Sequence, residues 1–146
     1  MEYYFCRIEG VLSTSAGYTG GHKDSPNYNE VCSNDTGHAE AVEIIYDPNV
    51  ISYEELTKLF FETHDPTQIN RQGPDIGNQY RSEIFFLNDE QKITAEKLIK
   101  ILEDKGHRVA TKVTKATMFW NAEKYHQDYY NKTNDKPYCH GYTKRF

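Results

Sequence analysis

The sequence predicts an α+β fold, specifically a ferredoxin-like (split βαβ) two-layer sandwich. Helical and strand periodicities follow one another along the 146 residues in the order helix, strand, strand, helix, strand, helix, strand, helix. A ferredoxin-like sheet has its first strand in the centre, whereas this pattern opens on a helix, so we expect the first central strand to be missing from this chain. No repeat, low-complexity run or linker divides the sequence. We therefore predict one domain over 1–146, with a core at 1–131 and a C-terminal tail at 132–146.

Each element follows from local patterning. Alternating polar and apolar residues predict strands at 12–18, 38–46, 81–87 and 109–115. Helices are predicted at 1–8, from 52 onward, at 89–105 and at 122–131, with apolar faces built from Leu56, Leu59, Phe60, Ile93, Leu98, Ile101 and Leu102. Ser52 and Glu55 form a capping box, and Gly106 ends the helix that precedes it. Segments 19–36 and 63–79 are rich in Gly, Pro, Asn and Asp, which predicts long loops.

Composition excludes several classes of protein. The 17 basic and 22 acidic residues give a net charge of −5, which argues against a basic nucleic-acid surface. No run of 18 apolar residues is present, so we predict no membrane span, and without a signal-peptide pattern we expect a cytoplasmic protein. The 12 Tyr, 7 Phe and single Trp favour a globular domain over a disordered chain.

The cysteine and histidine patterns predict neither a disulfide framework nor a metal site. Three cysteines, at Cys6, Cys32 and Cys139, are too few and too irregular for a disulfide scaffold, and no CxxC pair occurs. The six histidines are scattered without the spacing of metal ligands. We therefore expect no bound metal.

The two predicted loops and their flanking strands carry a distinctive set of polar side chains: Tyr28, Glu40, Asp75 and Tyr80. A protonated carboxyl group and two phenols could bind a small, polar oxygen atom by donating hydrogen bonds to it. This requires Glu40 to be protonated near neutral pH, and burial beside aromatic rings would raise its pKa. The alternative is structural: the phenols cover the core while Glu40 pairs with a cation.

These segments resemble the family of peptide methionine sulfoxide reductase A. The runs GYTGG, PNYNEVCS, DTGHAEAV, FFETHDPTQ, RQGPDIGNQYRS and YHQDYY occur in the family's order, and the resemblance extends from Met1 to about Cys139. It implies that Tyr28, Glu40 and Tyr80 bind and polarise a sulfoxide oxygen. It further implies that Glu40 is the proton donor and that Asp75 supports the pocket.

The family's nucleophile is the cysteine of a GCFWG motif at the start of a helix, where the helix dipole lowers the pKa of a thiol. If Glu2 is aligned with the Glu that follows this motif, the nucleophile precedes Met1 with three residues between them. If the nucleophile is selenocysteine, its UGA codon can be read as a stop codon. The next available start codon would then be that of Met1, which lies directly after the motif. We therefore expect the nucleophile, Cys or Sec, to be absent from the printed chain.

None of the three cysteines replaces that nucleophile in our interpretation. Cys6 lies nine positions beyond it, on the opposite face of the predicted helix. Cys32 lies in the family's VCS segment and is interpreted as structural. Cys139, in the predicted tail, resembles the family's resolving cysteine, although the usual glycine-rich continuation is absent; an ordinary exposed thiol is the alternative.

The resemblance implies reduction of methionine S-sulfoxide in oxidised proteins and as the free amino acid. It implies no cofactor beyond an external thiol reductant, with thioredoxin or glutaredoxin as the partner protein. We expect a monomer. Two other functions remain open: a non-catalytic protein that binds methionine sulfoxide, and an unrelated αβ interaction module.

Overall fold

The computed structural model describes residues 2–33, 36–122 and 143–146. Within these ranges the α-helices are α1 (Glu2–Phe5), α2 (Tyr28–Cys32), α3 (Tyr53–Glu62) and α4 (Asp89–Asp104). The strands are β1 (Val11–Thr19), β2 (Ala39–Tyr46), β3 (Arg71–Gln72), β4 (Asp75–Ile76), β5 (Glu83–Phe86), β6 (Lys112–Lys115) and β7 (Trp120–Asn121). A 3₁₀ turn occupies Asn78–Tyr80. This mixture of helices and strands confirms the predicted α+β class.

The described strands form three groups. β1 is central in an antiparallel sheet of order β2-β1-β7, with Tyr18 opposite Glu40 on one side and opposite Trp120 on the other. β5 and β6 pair in parallel, and α4 connects them, which is the βαβ arrangement that parallel neighbours require. β3 and β4 form a short hairpin. The first sheet and the hairpin thus provide the framework for the motif residues.

Helices α3 and α4 begin at side-chain caps. The Ser52 hydroxyl accepts a hydrogen bond from the Glu55 backbone N–H at 3.1 Å, so the predicted cap is confirmed. The Asn88 side chain accepts from the Gln91 backbone N–H at 2.9 Å in the same way. α4 ends at Asp104, and Gly106 then adopts a φ of +96°, a conformation that disfavours side chains with a Cβ.

Two buried apolar clusters form the core. One contains Phe5, Ile51 and Leu56; the other contains Phe61, Leu98 and Leu102, which are fully buried where α3 packs against α4. The prediction for Ile93 is wrong, because its side chain is 66% exposed. Ile93 lies about 140° around the helix axis from Leu98, so it points away from the face that contacts α3.

The helix α2 is missing from our sequence prediction, which treated 19–36 as a loop. The Asn27 side chain accepts from the Glu30 backbone N–H at 2.9 Å, and the Glu30 carboxylate accepts from the Asn27 backbone N–H at 3.2 Å. This reciprocal pair is a capping box, which stabilises the first turn of a helix. The Asn-x-x-Glu pattern therefore predicts the start of a helix at this position.

Other predicted boundaries also differ. α1 ends at Phe5 rather than at residue 8, because Arg7 and Ile8 donate to carbonyls three residues back and so form turns. The hairpin β3–β4 lies within the loop predicted at 63–79, and the 3₁₀ turn begins in that loop and ends just beyond it, at Tyr80. The helix predicted at 122–131 lies, apart from Ala122, outside the described residues, as does 132–142 of the predicted tail.

The last four residues pack against α3. The Arg145 backbone N–H donates to the Glu62 carboxylate at 3.0 Å, and its Nε donates to the Phe61 carbonyl at 2.7 Å. The Phe146 ring lies 6.2 Å from the Phe61 ring. This end of the chain therefore covers part of the second core cluster. Among the described residues, no helix is long and apolar enough to cross a membrane.

A buried polar network joins α3 to the parallel strand pair. The His64 Nδ1–H donates to the Phe60 carbonyl at 2.6 Å, while its Nε2 accepts from the Ser82 hydroxyl at 2.7 Å. Ser82 is also 2.7 Å from the Thr111 hydroxyl, which precedes β6. The ring is neutral in this arrangement, and burial lowers the pKa of His64 from 6.5 to about 4.

Candidate active site

Glu40 is the second residue of β2, opposite Tyr18 of β1, and its carboxyl group is largely removed from solvent. Burial, as the larger cause, and the nearby negative charge of Asp75 together raise its pKa from 4.5 to about 7. This agrees with the predicted direction, to which the structure adds Asp75 as a second cause. A substantial fraction of Glu40 is consequently protonated at neutral pH.

Tyr80 ends the 3₁₀ turn, which packs beside β2, and the Gln72 side chain holds its carbonyl by a hydrogen bond of 3.1 Å. Burial raises the pKa of its phenol, and so do the charges of Glu40, Tyr28 and Asp75. Because such interactions weaken with distance, the four predicted side chains lie close together. We call Tyr28, Glu40, Asp75 and Tyr80 the acid–phenol cluster.

Short elements hold the other two members of this cluster. Tyr28 is the first residue of α2, where the capping box sets the direction of the helix. Asp75 is the first residue of β4, and the tight turn before it is closed by the Arg71 side chain, whose Nη2 donates to the Gly73 carbonyl at 2.7 Å. The Gly73 N–H in turn donates to the Gln68 side chain at 2.9 Å. The position of Asp75 is therefore set by hydrogen bonds within the hairpin rather than by pairing with β2.

His38 joins the first loop to the start of β2, a role that sequence analysis did not identify. Its Nδ1 accepts from the Gly21 N–H at 3.0 Å, so its Nε2 carries the proton and donates to the Lys23 carbonyl at 2.7 Å. A Cβ on Gly21 would lie 2.3 Å from the Thr36 carbonyl oxygen, so only glycine permits this approach. The GYTGG segment is thereby held against the residues that lead to Glu40.

The 3₁₀ turn also depends on a glycine. Gly77 has a φ of +149°, and a Cβ there would lie 2.4 Å from the Gln79 side-chain oxygen. The Gln79 amide therefore folds back over Gly77, next to Tyr80, in a space that only glycine leaves open. That amide oxygen is buried without a hydrogen-bond partner among the described residues.

The structure locates two of the three cysteines. Cys6 directly follows α1 rather than lying inside a longer helix, and it is partly buried. Cys32, the last residue of α2, is one of the groups whose charge raises the pKa of Tyr80, so it lies near the acid–phenol cluster. The sequence offered no sign of this proximity. Cys139 lies outside the described residues.

No group of three or more His, Cys, Asp or Glu side chains in the described part of the chain is arranged to hold a metal ion. The site does offer three hydrogen-bond donors, one carboxylic acid and two phenols, and the charges of Glu40 and Tyr28 both influence Tyr80. Such a set can neutralise negative charge that develops on an oxygen atom in a transition state.

A family profile described as "Peptide methionine sulfoxide reductase" matches residues 1–145. The chain belongs to this family. It is 50% identical over 139 residues to peptide methionine sulfoxide reductase MsrA of Sulfolobus acidocaldarius, an alignment that covers 94% of this chain and 79% of that protein. It is also 50% identical to MsrA of Nautilia profundicola, over 95% of this chain and 80% of that protein.

Solved structures of the family have the same fold. Reduced Mxr1 from Saccharomyces cerevisiae matches with a TM-score of 0.86 and 36% identity, over 99% of this chain and 84% of that one. Methionine sulfoxide reductase A of Corynebacterium diphtheriae matches with a TM-score of 0.81 and 34% identity, over 94% of this chain and 72% of that one. The chain is thus an oxidoreductase of the methionine sulfoxide reductase family, whose activity is the reduction of methionine sulfoxide.

The raised pKa of Glu40 predicts a pH-dependent stability. Between pH 4.5 and about 7 the folded state keeps a proton that the unfolded state releases, so stability falls as pH rises through this window. Glu40 should contribute about 2–3 kcal/mol to this loss, and Glu40→Gln should abolish that contribution. The difference between the two proteins in urea unfolding at pH 4, 6 and 8 measures it.

The matched control is Glu43→Gln, because Glu43 lies on the same strand but is exposed. It should leave the pH dependence unchanged. If Glu40→Gln and Glu43→Gln unfold with the same pH profile as the parent, Glu40 does not have a raised pKa.

Proposed function

We propose that the acid–phenol cluster binds the sulfoxide oxygen of oxidised methionine and protonates it during reduction. The observation that supports this most directly is the pKa of about 7 for Glu40, which lets its carboxyl group act as an acid at neutral pH. An ionised carboxylate at this position could only accept hydrogen bonds and would repel the oxygen. Proton donation therefore depends on the raised pKa.

The members of the acid–phenol cluster have different roles in this proposal. Tyr28 and Tyr80 donate hydrogen bonds to the oxygen, and the raised pKa of Tyr80 keeps its phenol protonated. Asp75 acts through Glu40, because its negative charge favours the protonated form of that carboxyl group. Glu40 then transfers its proton as the bond between sulfur and oxygen weakens.

The overall reaction balances with two thiols. A thiolate or selenolate attacks the sulfur, the sulfoxide gains two electrons to become a thioether, and the oxygen leaves as water with two protons. The nucleophile and a second thiol together lose those two electrons and form a disulfide or selenenyl sulfide. The GCFWG motif that contains the nucleophile does not occur in the 146 residues. In this proposal the chain provides the residues that bind and protonate the oxygen.

Family membership supports the remaining assignments. We propose that the second thiol is Cys139, that thioredoxin or glutaredoxin restores the reduced state, and that substrates include oxidised proteins and free methionine sulfoxide. We also propose that the sheet of β2, β1 and β7 and the β5–β6 pair form a ferredoxin-like arrangement. In support, a Cβ on Gly20, directly after β1, would lie 2.7 Å from the Phe85 ring of β5, so these strands approach each other.

A binding measurement on the printed chain tests the proposal. N-acetylmethionine sulfoxide should bind more tightly than N-acetylmethionine, because only the sulfoxide has an oxygen on its sulfur that can accept from the three donors. The difference should diminish above pH 7 as Glu40 ionises. Titrations followed by NMR of the tyrosine rings at pH 6 and 8 measure both affinities.

Two results would contradict this proposal. Equal affinity for the sulfoxide and the thioether would mean that the cluster does not recognise oxygen. Turnover of the sulfoxide by the printed chain with dithiothreitol would assign the nucleophile to one of its own cysteines. Binding without turnover is the expected result.

A further inference from the structure

Arg81 lies where three motif segments of the chain meet. Its Nη1 donates to the Asn78 carbonyl at 3.0 Å, and its Nη2 donates to the Gly37 carbonyl at 2.9 Å. A Cβ on Gly20 would lie 3.3 Å from the same Nη2, so the GYTGG segment also packs against the guanidinium. One side chain thus contacts all three segments that lead into the acid–phenol cluster.

The third nitrogen of Arg81 forms an ion pair. Its Nε lies 2.6 Å from Glu83 Oε1, and the two side chains are only 10% and 7% exposed. The other Glu83 oxygen accepts from the Thr114 hydroxyl of β6 at 2.5 Å. Both charges are therefore paired, and the planar guanidinium is held in a single orientation.

These contacts link the segments that carry Glu40 and Tyr80. The Gly37 carbonyl lies three residues before Glu40, and the Asn78 carbonyl lies two residues before Tyr80. A rigid group that holds both carbonyls limits how far the strand and the 3₁₀ turn can move apart. A catalytic site loses effectiveness with displacements of about 1 Å, so such a link has functional value.

We propose that the Arg81–Glu83 ion pair is a positioning element. It holds Glu40 and Tyr80 at the separation at which both side chains can donate hydrogen bonds to the same sulfoxide oxygen. It acts through backbone carbonyls and does not touch the substrate. This inference rests on the proposed roles of Glu40 and Tyr80.

Two variants separate positioning from stability. Arg81→Lys keeps a positive charge beside Glu83, but its donors share one nitrogen and cannot reach the three separate acceptors that Nε, Nη1 and Nη2 bind. The double variant Arg81→Met/Glu83→Met removes both charges together, and apolar replacement of a buried ion pair is often neutral for stability. The control is Arg108→Lys, because Arg108 is exposed.

Three quantities are measured on the printed chain and on each variant: the urea midpoint, the affinities for N-acetylmethionine sulfoxide and N-acetylmethionine, and the pKa of Glu40 by carboxyl NMR. Both Arg81 variants should weaken sulfoxide affinity by roughly tenfold and leave thioether affinity unchanged. The pKa of Glu40 should fall toward 4.5 as water enters between the two side chains. The double variant should keep its urea midpoint.

The possible failures are distinguishable. If the unmodified chain does not prefer the sulfoxide, the proposed function fails. If it does and the Arg81 variants keep the same preference and the same Glu40 pKa, only the positioning role is overturned. Loss of affinity for both ligands, or unfolding of both variants, would assign the ion pair a purely structural role and would also overturn the inference.

Discussion

Glu40→Gln is expected to lower kcat/KM for methionine sulfoxide by about 10²–10³ in a chain extended at its N-terminus by the family's Gly-Cys-Phe-Trp-Gly segment. Glutamine keeps a hydrogen-bond donor but has no proton to transfer as the oxygen leaves. Steady-state assays with dithiothreitol as reductant measure the loss. In the extended chain that retains Glu40, activity should decline above pH 7, where Glu40 ionises.

Matched variants define the specificity of this effect. Tyr28→Phe and Tyr80→Phe should each cause a smaller loss, because the remaining phenol and the acid still bind the oxygen. Glu43→Gln, on the exposed part of the same strand, should be as active as the parent. Full activity of Glu40→Gln in the extended chain would exclude Glu40 as the proton donor.

Acid destabilisation should depend on His64. The folded state keeps this ring neutral down to about pH 4, whereas an unfolded histidine takes up a proton below pH 6.5. The unfolded state then binds more protons, so stability present above pH 6.5 is lost as pH falls toward 4. His64 should contribute about 3 kcal/mol to this loss, and over the same range protonation of Glu40 contributes in the opposite direction. The His64 contribution is therefore measured as the difference between the parent and a His64 variant in how far the urea midpoint shifts from pH 7 to pH 4.

The test variant is His64→Asn, which retains an N–H near Nδ1 but removes the titrating ring. It should be less stable than the parent at pH 7, since the Ser82 contact is lost, yet show a smaller loss on acidification. His22→Gln, at an exposed position, should follow the parent. An unchanged acid profile in His64→Asn would show that another group causes the destabilisation.

Local signals predicted much of the secondary structure. The Ser52 cap, the glycine that ends α4 and the strand alternation of β1 and β2 depend on neighbours within four residues, so the printed order of residues is sufficient to identify them. The capping box of Asn27 and Glu30 is a signal of the same local kind, since its two residues are three positions apart.

Non-local contacts account for the other differences. Ile93 belongs to an amphipathic helix, and only the packing of α3 on α4 shows that its side chain lies outside the buried face. Phe146 lies in the predicted tail, yet its ring contacts the ring of Phe61 in α3. Such contacts join residues that are distant in sequence, and the local periodicity of apolar residues cannot predict them.

The sequence by itself determined the α+β class, the family and the identity of the four side chains in the acid–phenol cluster, because these depend on residue types and their order. Only the tertiary structure decided that Asp75 adds its charge to the burial of Glu40 and that Arg81 bridges Gly37 and Asn78. The physical reason is that a pKa and a hydrogen bond depend on distances and on exclusion of water. Both are set by strands, turns and loops that come together after folding.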